Sequence, residues 1–186
     1  MNIPYQANGI YPSEVAIVVN AARRHAINVF LESGIDNGYS TEQWATQLGC
    51  PVNACDMRYL PDTVARLAKY PNLTITQQYG HPFLHGQAKA LASYRIGVFI
   101  DGPKYAEAAS LCHELLVAYP HILFVAIHDA LDPFEFDVLR DGAYRLTWSI
   151  AQYTDECAVL DREAEEFNNN MGASYSKGPG LLLVER

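Results

Sequence analysis

Basic charge is in short supply in this chain. Thirteen Lys and Arg stand against 21 Asp and Glu, a net charge of −8. Binding a nucleic-acid backbone needs a basic face, so nucleic acid is not an expected partner. Long apolar runs are missing too. No stretch approaches the roughly 18 residues that a membrane-spanning helix requires, and the N-terminus lacks the basic-then-apolar layout of a signal peptide. Cysteine is sparse: Cys50, Cys55, Cys112 and Cys157 form no CxxC pair and no Cys/His zinc spacing. Buried, reduced thiols in a cytoplasmic protein are the expectation. Internal repeats and linker-like segments are also absent, so residues 1–186 read as one domain.

What is present is an alternation of short apolar runs and helical stretches. Residues 12–26 predict a helix with Ser13 as N-cap and Val15, Val18, Val19 and Ala22 on its apolar face. Strand-like runs follow at Asn28–Glu32, Val52–Cys55, Leu73–Thr76, Gly97–Asp101 and Ile122–Ile127. Helices are expected at Thr41–Leu48, Pro61–Lys69, about Gly86–Ser93 and Tyr105–Ala118. Ser40 with Gln43 suggests a capping box, Gly49 a C-cap, and Pro61 a first helical turn. Further on, Tyr144–Ile150 reads as a strand, Gln152–Phe167 as a solvated acidic helix, 168–180 as a loop, and Leu181–Val184 as a closing strand. The nearly continuous apolar strands suit a sheet covered on both faces. The expected fold is α/β, a doubly wound, mostly parallel sheet in three layers.

The candidate functional residues fall just past the carboxyl ends of the expected strands, where open α/β sheets bind ligands. Glu32-x-Gly34-x-x-x-Gly38 places two glycines four apart in a strand-to-helix turn. That spacing is not GxGxxG, and the segment lacks the GK[ST] of a phosphate loop. Asp56, after the second strand, is suited to accept both hydroxyls of a ribose, with Met57 beside it for an adenine ring. Gly80 follows the third strand, with His81 and His85 as further candidates for the crevice. Asp101-Gly-Pro-Lys104 follows the fourth. There a carboxylate can hold a hard divalent cation, and a lysine of lowered pKa can act as a base. His128-Asp129 ends the fifth, with Asp129 a second oxygen ligand and His128 a ligand, base or donor. His25, His113 and His121 receive no role.

These residues resemble class I S-adenosylmethionine-dependent methyltransferases, in particular the small catechol and caffeoyl-CoA type O-methyltransferases. The resemblance covers about Asn28 to Asp129, with a weaker continuation to the closing strand. Glu32-Ser-Gly34-Ile-Asp-Asn-Gly38-Tyr39-Ser40 is similar to that family's E-x-G-x-x-x-G-Y-S cofactor loop, and Asp101 to Lys104 to its D-x-x-K motif. His128-Asp129 stands where metal-dependent members carry Asp-Asn, and looks closer to methyltransferases of polysaccharide and glycoside pathways. Ser33 and Asp36 depart from the loop's usual small or apolar neighbours. Asp36 would either repel the cofactor carboxylate or contact its amino group.

The resemblance implies an O-methyltransferase acting on a hydroxyl of a small molecule or glycoside. It implies S-adenosylmethionine bound by Glu32, Gly34, Gly38, Ser40, Asp56 and Asp101. Lys104 or His128 would be the base, and Asp101 with Asp129 would hold Mg2+ if a metal is used. The alternative is a catalytically inactive methyltransferase-like binding or assembly subunit. A nicotinamide-dependent oxidoreductase is disfavoured by the glycine spacing. Tyr39, Tyr79, Tyr105 and Trp148 offer aromatic surface to an acceptor, and a homodimer would be compatible with the sequence.

Overall fold

The computed structural model describes residues 9–58, 60–130, 133–140, 142–149, 155–170 and 180–186. Five parallel strands form its centre: β1 (Val29–Ser33), β2 (Val52–Asp56), β3 (Leu73–Gln77), β4 (Ile96–Ile100) and β5 (Ile122–Ile127). Two further strands, β6 (Arg145–Trp148) and β7 (Leu182–Glu185), complete a seven-stranded sheet in the order β3-β2-β1-β4-β5-β7-β6. β7 runs antiparallel to both of its neighbours. The sheet is therefore doubly wound and mostly parallel, as expected.

The order reverses at β1. The chain steps outward through β2 and β3, then crosses back to lay β4 on the other side of β1. Loops leaving β1 and β4 must then diverge, and the gap between them is where such sheets take ligands. Backbone hydrogen bonds carry the register into this region. Asp101 N–H donates to Ser33 C=O at 2.8 Å, Gly34 N–H to Cys55 C=O at 2.9 Å, and His128 N–H to Ile100 C=O at 2.9 Å.

Strand residues alternate between two apolar layers. Val29, Leu31, Val98 and Ile100 face α4 (Gly80–Ala90) and α5 (Tyr105–Ala118). Phe30, Phe99 and Phe124 face α1 (Pro12–Arg24) and α2 (Tyr39–Gln47). Trp44 of α2 is wholly buried there, its ring 5.4 Å from Phe30 and 5.1 Å from Phe99. Burial of one such side chain contributes roughly 1.5–3 kcal/mol. On the edge strand β3 the cover thins: Thr74 and Gln77 are exposed and the other three residues half-buried, so this edge lacks the both-face burial of the central strands.

Several boundaries differ from the sequence reading. Tyr11, not Ser13, is the N-cap of α1, because Pro12 takes the first helical position. The Tyr11 N–H donates to Glu14 Oε2 at 3.0 Å. Ser13 is used elsewhere: its N–H and hydroxyl donate to the buried Asp161 carboxylate at 2.8 and 2.6 Å. Asp161 lies on α7 (Asp155–Asn170), so the acidic helix is not a purely solvated face.

Helix α2 begins at Tyr39 with Gly38 as its N-cap, in the left-handed region at φ 78°. Ser40 therefore sits inside the helix and does not cap it. Gly49, at φ 66°, follows the C-cap residue Leu48 and suits the left-handed turn that ends a helix. Helix α3 (Pro61–Leu67) starts at Pro61 as expected. Helix α4 begins six residues earlier than predicted, so His81 and His85 are helical. A 3₁₀ turn (Pro133–Phe136) and the short α6 (Asp137–Arg140) had no counterpart in the sequence reading. Most of the predicted loop at 168–180, the helix start predicted at Gln152 and the strand end predicted at Ile150 lie outside the described residues. The helix itself continues to Asn170.

Cys50, Cys55 and Cys112 are buried free thiols, and Cys157 is half-buried. Among the described residues, no helix is long and apolar enough to cross a membrane.

Candidate active site

A cavity of about 460 Å³ opens at the carboxyl ends of β1, β2 and β4. Gly34, Asp56, Asp101, Lys104, His128 and Asp129 line it, so six of the nine residues to which the resemblance gave a role converge on one space. Asp36, Met57, Arg58, Tyr79, Gly80, His81 and Glu107 add to the wall.

The turn after β1 passes close against β4. Gly34 has φ 90°, and a Cβ there would lie 2.8 Å from the Asp101 carbonyl carbon and from Gly102 N. Only glycine satisfies both the angle and the approach. Asp36 also adopts a positive φ, of 43°. What holds it there is Asp56. One carboxylate oxygen accepts the N–H groups of Ile35 at 2.8 Å and Asp36 at 3.1 Å, and the other accepts Arg58 N–H at 2.8 Å. Asp56 thus clamps the turn while still lining the cavity, and two carboxylate oxygens have about four acceptor positions between them.

Glu32, Gly38 and Ser40 do not line the cavity. Glu32 is wholly buried, and its Oε1 accepts the Ser40 hydroxyl at 2.6 Å and the Trp44 indole N–H at 3.0 Å. Its Oε2 has no hydrogen-bond partner. Burial pushes the Glu32 carboxyl up to about 8, against the lowering effect of these donors. Burial thus favours the neutral acid, and Glu32 fastens β1 to α2 behind the wall. Gly38 gives passage to α3, since a Cβ there would meet Thr63 and Leu67 within 3 Å. The resemblance gave these three residues to the cofactor; the structure sets them behind the cavity wall, where Glu32 and Ser40 join β1 to α2.

At the other end of the cavity four charged groups interlock. Lys104 Nζ donates to Asp101 and, at 2.6 Å, to Asp129 Oδ2. His128 Nδ1 lies 2.9 Å from the same Asp101 oxygen, and its Nε2 lies 3.7 Å from Glu14 Oε2. Burial works against the charge on His128, but Asp101, Glu14 and Asp129 outweigh it and raise the imidazole to about 9. Burial likewise opposes charge on Lys104, and its two carboxylates hold its pKa above the usual value. For Asp101 the balance is the same: burial disfavours the anion, and His128 with Lys104 lowers its pKa nonetheless. Both candidate bases are protonated at neutral pH, because the carboxylates expected to hold a metal pair with them instead.

Asp101, His128 and Asp129 present ligand atoms within 4.8 Å of one another. The Lys104 ammonium nevertheless bonds both carboxylates, as a bound divalent cation would. These residues do not fit Mg2+ without expelling Lys104.

Glu14 was not found from the sequence. It lies 114 residues before His128 and gave no local signal beyond an acid in a first helical turn. Of the aromatic candidates, only Tyr79 reaches the cavity. Tyr39 is buried, and Trp148 packs against the apolar layer under α5.

No protein-family model and no curated protein matches this chain. Solved structures do share its fold. One is an O-methyltransferase from Bacillus cereus in complex with SAH, at a TM-score of 0.56 and 14% identity over 97% of this chain and 84% of that one. Another is precorrin-6y C5,15-methyltransferase from Geobacter metallireducens, at a TM-score of 0.55 and 12% identity over 78% of each chain. The chain has the Rossmann-like methyltransferase fold.

Proposed function

We propose that the protein is an S-adenosylmethionine-dependent O-methyltransferase acting on a hydroxyl of a small molecule, glycosides included. The observation that carries this reading is the cavity at the β1/β4 switch point, with Gly34 and Asp56 at one end and the Asp101–Lys104–His128–Asp129 cluster at the other. Its size lies within the range of small-molecule sites. The residues fit the cofactor. Asp56 has acceptor capacity for a ribose, Met57 offers apolar surface to a base, and the acid-rich wall suits a sulfonium cation.

When bound, S-adenosylmethionine supplies an electrophilic methyl group for in-line transfer. The chain's part is to position the acceptor and manage its proton. Asp129, at the rim, accepts a hydrogen bond from an incoming hydroxyl. Lys104 and His128 take the hydroxyl proton only after losing their own, so the resting ion pairs hold the base in reserve. Mg2+ has no part in this scheme, because Lys104 supplies the positive charge between the two carboxylates.

Calorimetry with S-adenosylmethionine and S-adenosylhomocysteine tests the reading. Binding is expected in the micromolar range. Absence of binding at about millimolar ligand would leave the inactive binding subunit as the better account. Asp56→Ala should weaken binding by about tenfold or more, in line with loss of charge-assisted hydrogen bonds.

A further inference from the structure

Helices α4 and α5 bring a second group of ligating side chains together beside the cavity. His81 and His85 are four residues apart on α4 and so share one helical face. Their ring centroids lie 4.7 Å apart. Glu114 reaches across from α5. Its Oε2 stands 3.0 Å from His81 Nε2 and 3.5 Å from His85 Nε2. Ligand atoms about 2.1 Å from a tetrahedral metal are separated by roughly 3.4 Å, so these two spacings already match a coordination shell.

Two details separate this group from an ordinary surface ion pair. The Nε2 of His85 is buried and makes no hydrogen bond. Its other nitrogen, Nδ1, lies 3.2 Å from the Tyr119 hydroxyl, with the rings packed edge to face. A proton on Nδ1, donated to the Tyr119 oxygen, leaves the Nε2 lone pair facing Glu114 and His81. Outer partners orient metal-bound histidines in this way.

We propose that His81, His85 and Glu114 form a binding site for a divalent transition metal, zinc by its nitrogen and carboxylate donors, with one coordination position left open. The proposal does not rest on the methyltransferase reading. It ties the first turn of α4 to α5. Because His81 lines the cavity, the metal would stand at its rim and fix the Tyr79–His81 wall. Gly80, in that wall, leaves no space for a Cβ, which would lie 2.6 Å from the Gly102 oxygen. Movement of the α4 start is thus transmitted directly to the Gly102 loop.

Zinc titration of chelator-treated protein, read by calorimetry and by melting temperature, tests the site. One equivalent is expected to bind, with Co2+ giving the visible absorption of a tetrahedral, thiolate-free site. His81→Ala, His85→Gln and Glu114→Gln should each weaken zinc by at least about tenfold, while Asp129→Asn should leave the affinity unchanged. Failure to bind at about 100 μM zinc would overturn the proposal. So would binding that survives all three substitutions, or binding lost in Asp129→Asn alone. His81 and Glu114 are exposed, so their variants should keep the native circular dichroism.

Discussion

His128 Nδ1 lies 2.9 Å from the Asp101 oxygen that also receives the Lys104 ammonium, so one carboxylate oxygen serves two cations. The cluster is balanced internally, two acids against two bases. Its charge states govern both the stability and the reactivity of the cavity.

The stability consequence follows from linkage. His128 titrates near 9 in the fold, against about 6.5 for an unstructured histidine. Its contribution is fully present below about pH 6.5 and is lost as pH rises through 9, a difference of at most on the order of 3 kcal/mol. Urea unfolding across pH 6–10 should show this decline, and His128→Gln should flatten it. An equal decline in the variant would show that the loss arises elsewhere.

The reactive consequence has the opposite sign. A base must first lose its proton, so kcat/KM should climb from pH 7 towards 9 and beyond, by up to about tenfold per unit. A midpoint near 9 identifies His128 as the base. A rise that continues past pH 10 identifies Lys104. A profile flat between 7 and 9 would remove both.

Lys104 stands where a divalent cation would otherwise bridge Asp101 and Asp129. Millimolar Mg2+ should therefore leave the melting temperature of the native protein unchanged and raise that of Lys104→Ala. Mg2+ stabilisation of the native chain, absent in Asp101→Asn, would mean that Lys104 yields the site to the metal.

Glu32 separates hydrogen bonding from charge. Since burial favours its neutral form, Glu32→Gln should unfold within about 1 kcal/mol of the native chain, its amide oxygen still accepting Ser40 and Trp44. Glu32→Leu leaves both donors buried and unpaired, at a cost of about 2–4 kcal/mol. Equal losses in the two variants, measured by chemical denaturation, would assign Glu32 a charged role.

Much of the layout was legible because apolar runs and their terminal acids are local features. β5 and α5 were bounded to the residue, and Gly34, Asp56, Gly80, Asp101, Lys104, His128 and Asp129 were named from their places just past strand ends. The start of α4 was expected at about Gly86, yet the helix begins at Gly80 and carries Pro82 in its first turn. In the first turn of a helix a proline removes no intrahelical bond, so the segment can be helical after all. The support that Glu32 gives to α2 was hidden for another reason: its partner Trp44 lies on the next helix, and spacing along the chain does not reveal which buried donors an acid will meet. The His81–His85 pair was visible, but Glu114, 33 residues further along, joins it only when α4 and α5 pack together.

The closing strand β7 lies between β5 and β6, so among the described residues it is the only strand that pairs with β6. As the chain is synthesised, residues 29–127 can pair into the whole parallel sheet and shape the cavity floor. Arg145–Trp148 must meanwhile wait, unpaired, for Leu182–Glu185 to emerge. The pocket end of the molecule can therefore assemble early and the antiparallel border last. A nick or truncation ahead of Leu181 would strip two strands from the sheet at once while leaving the β1/β4 junction intact.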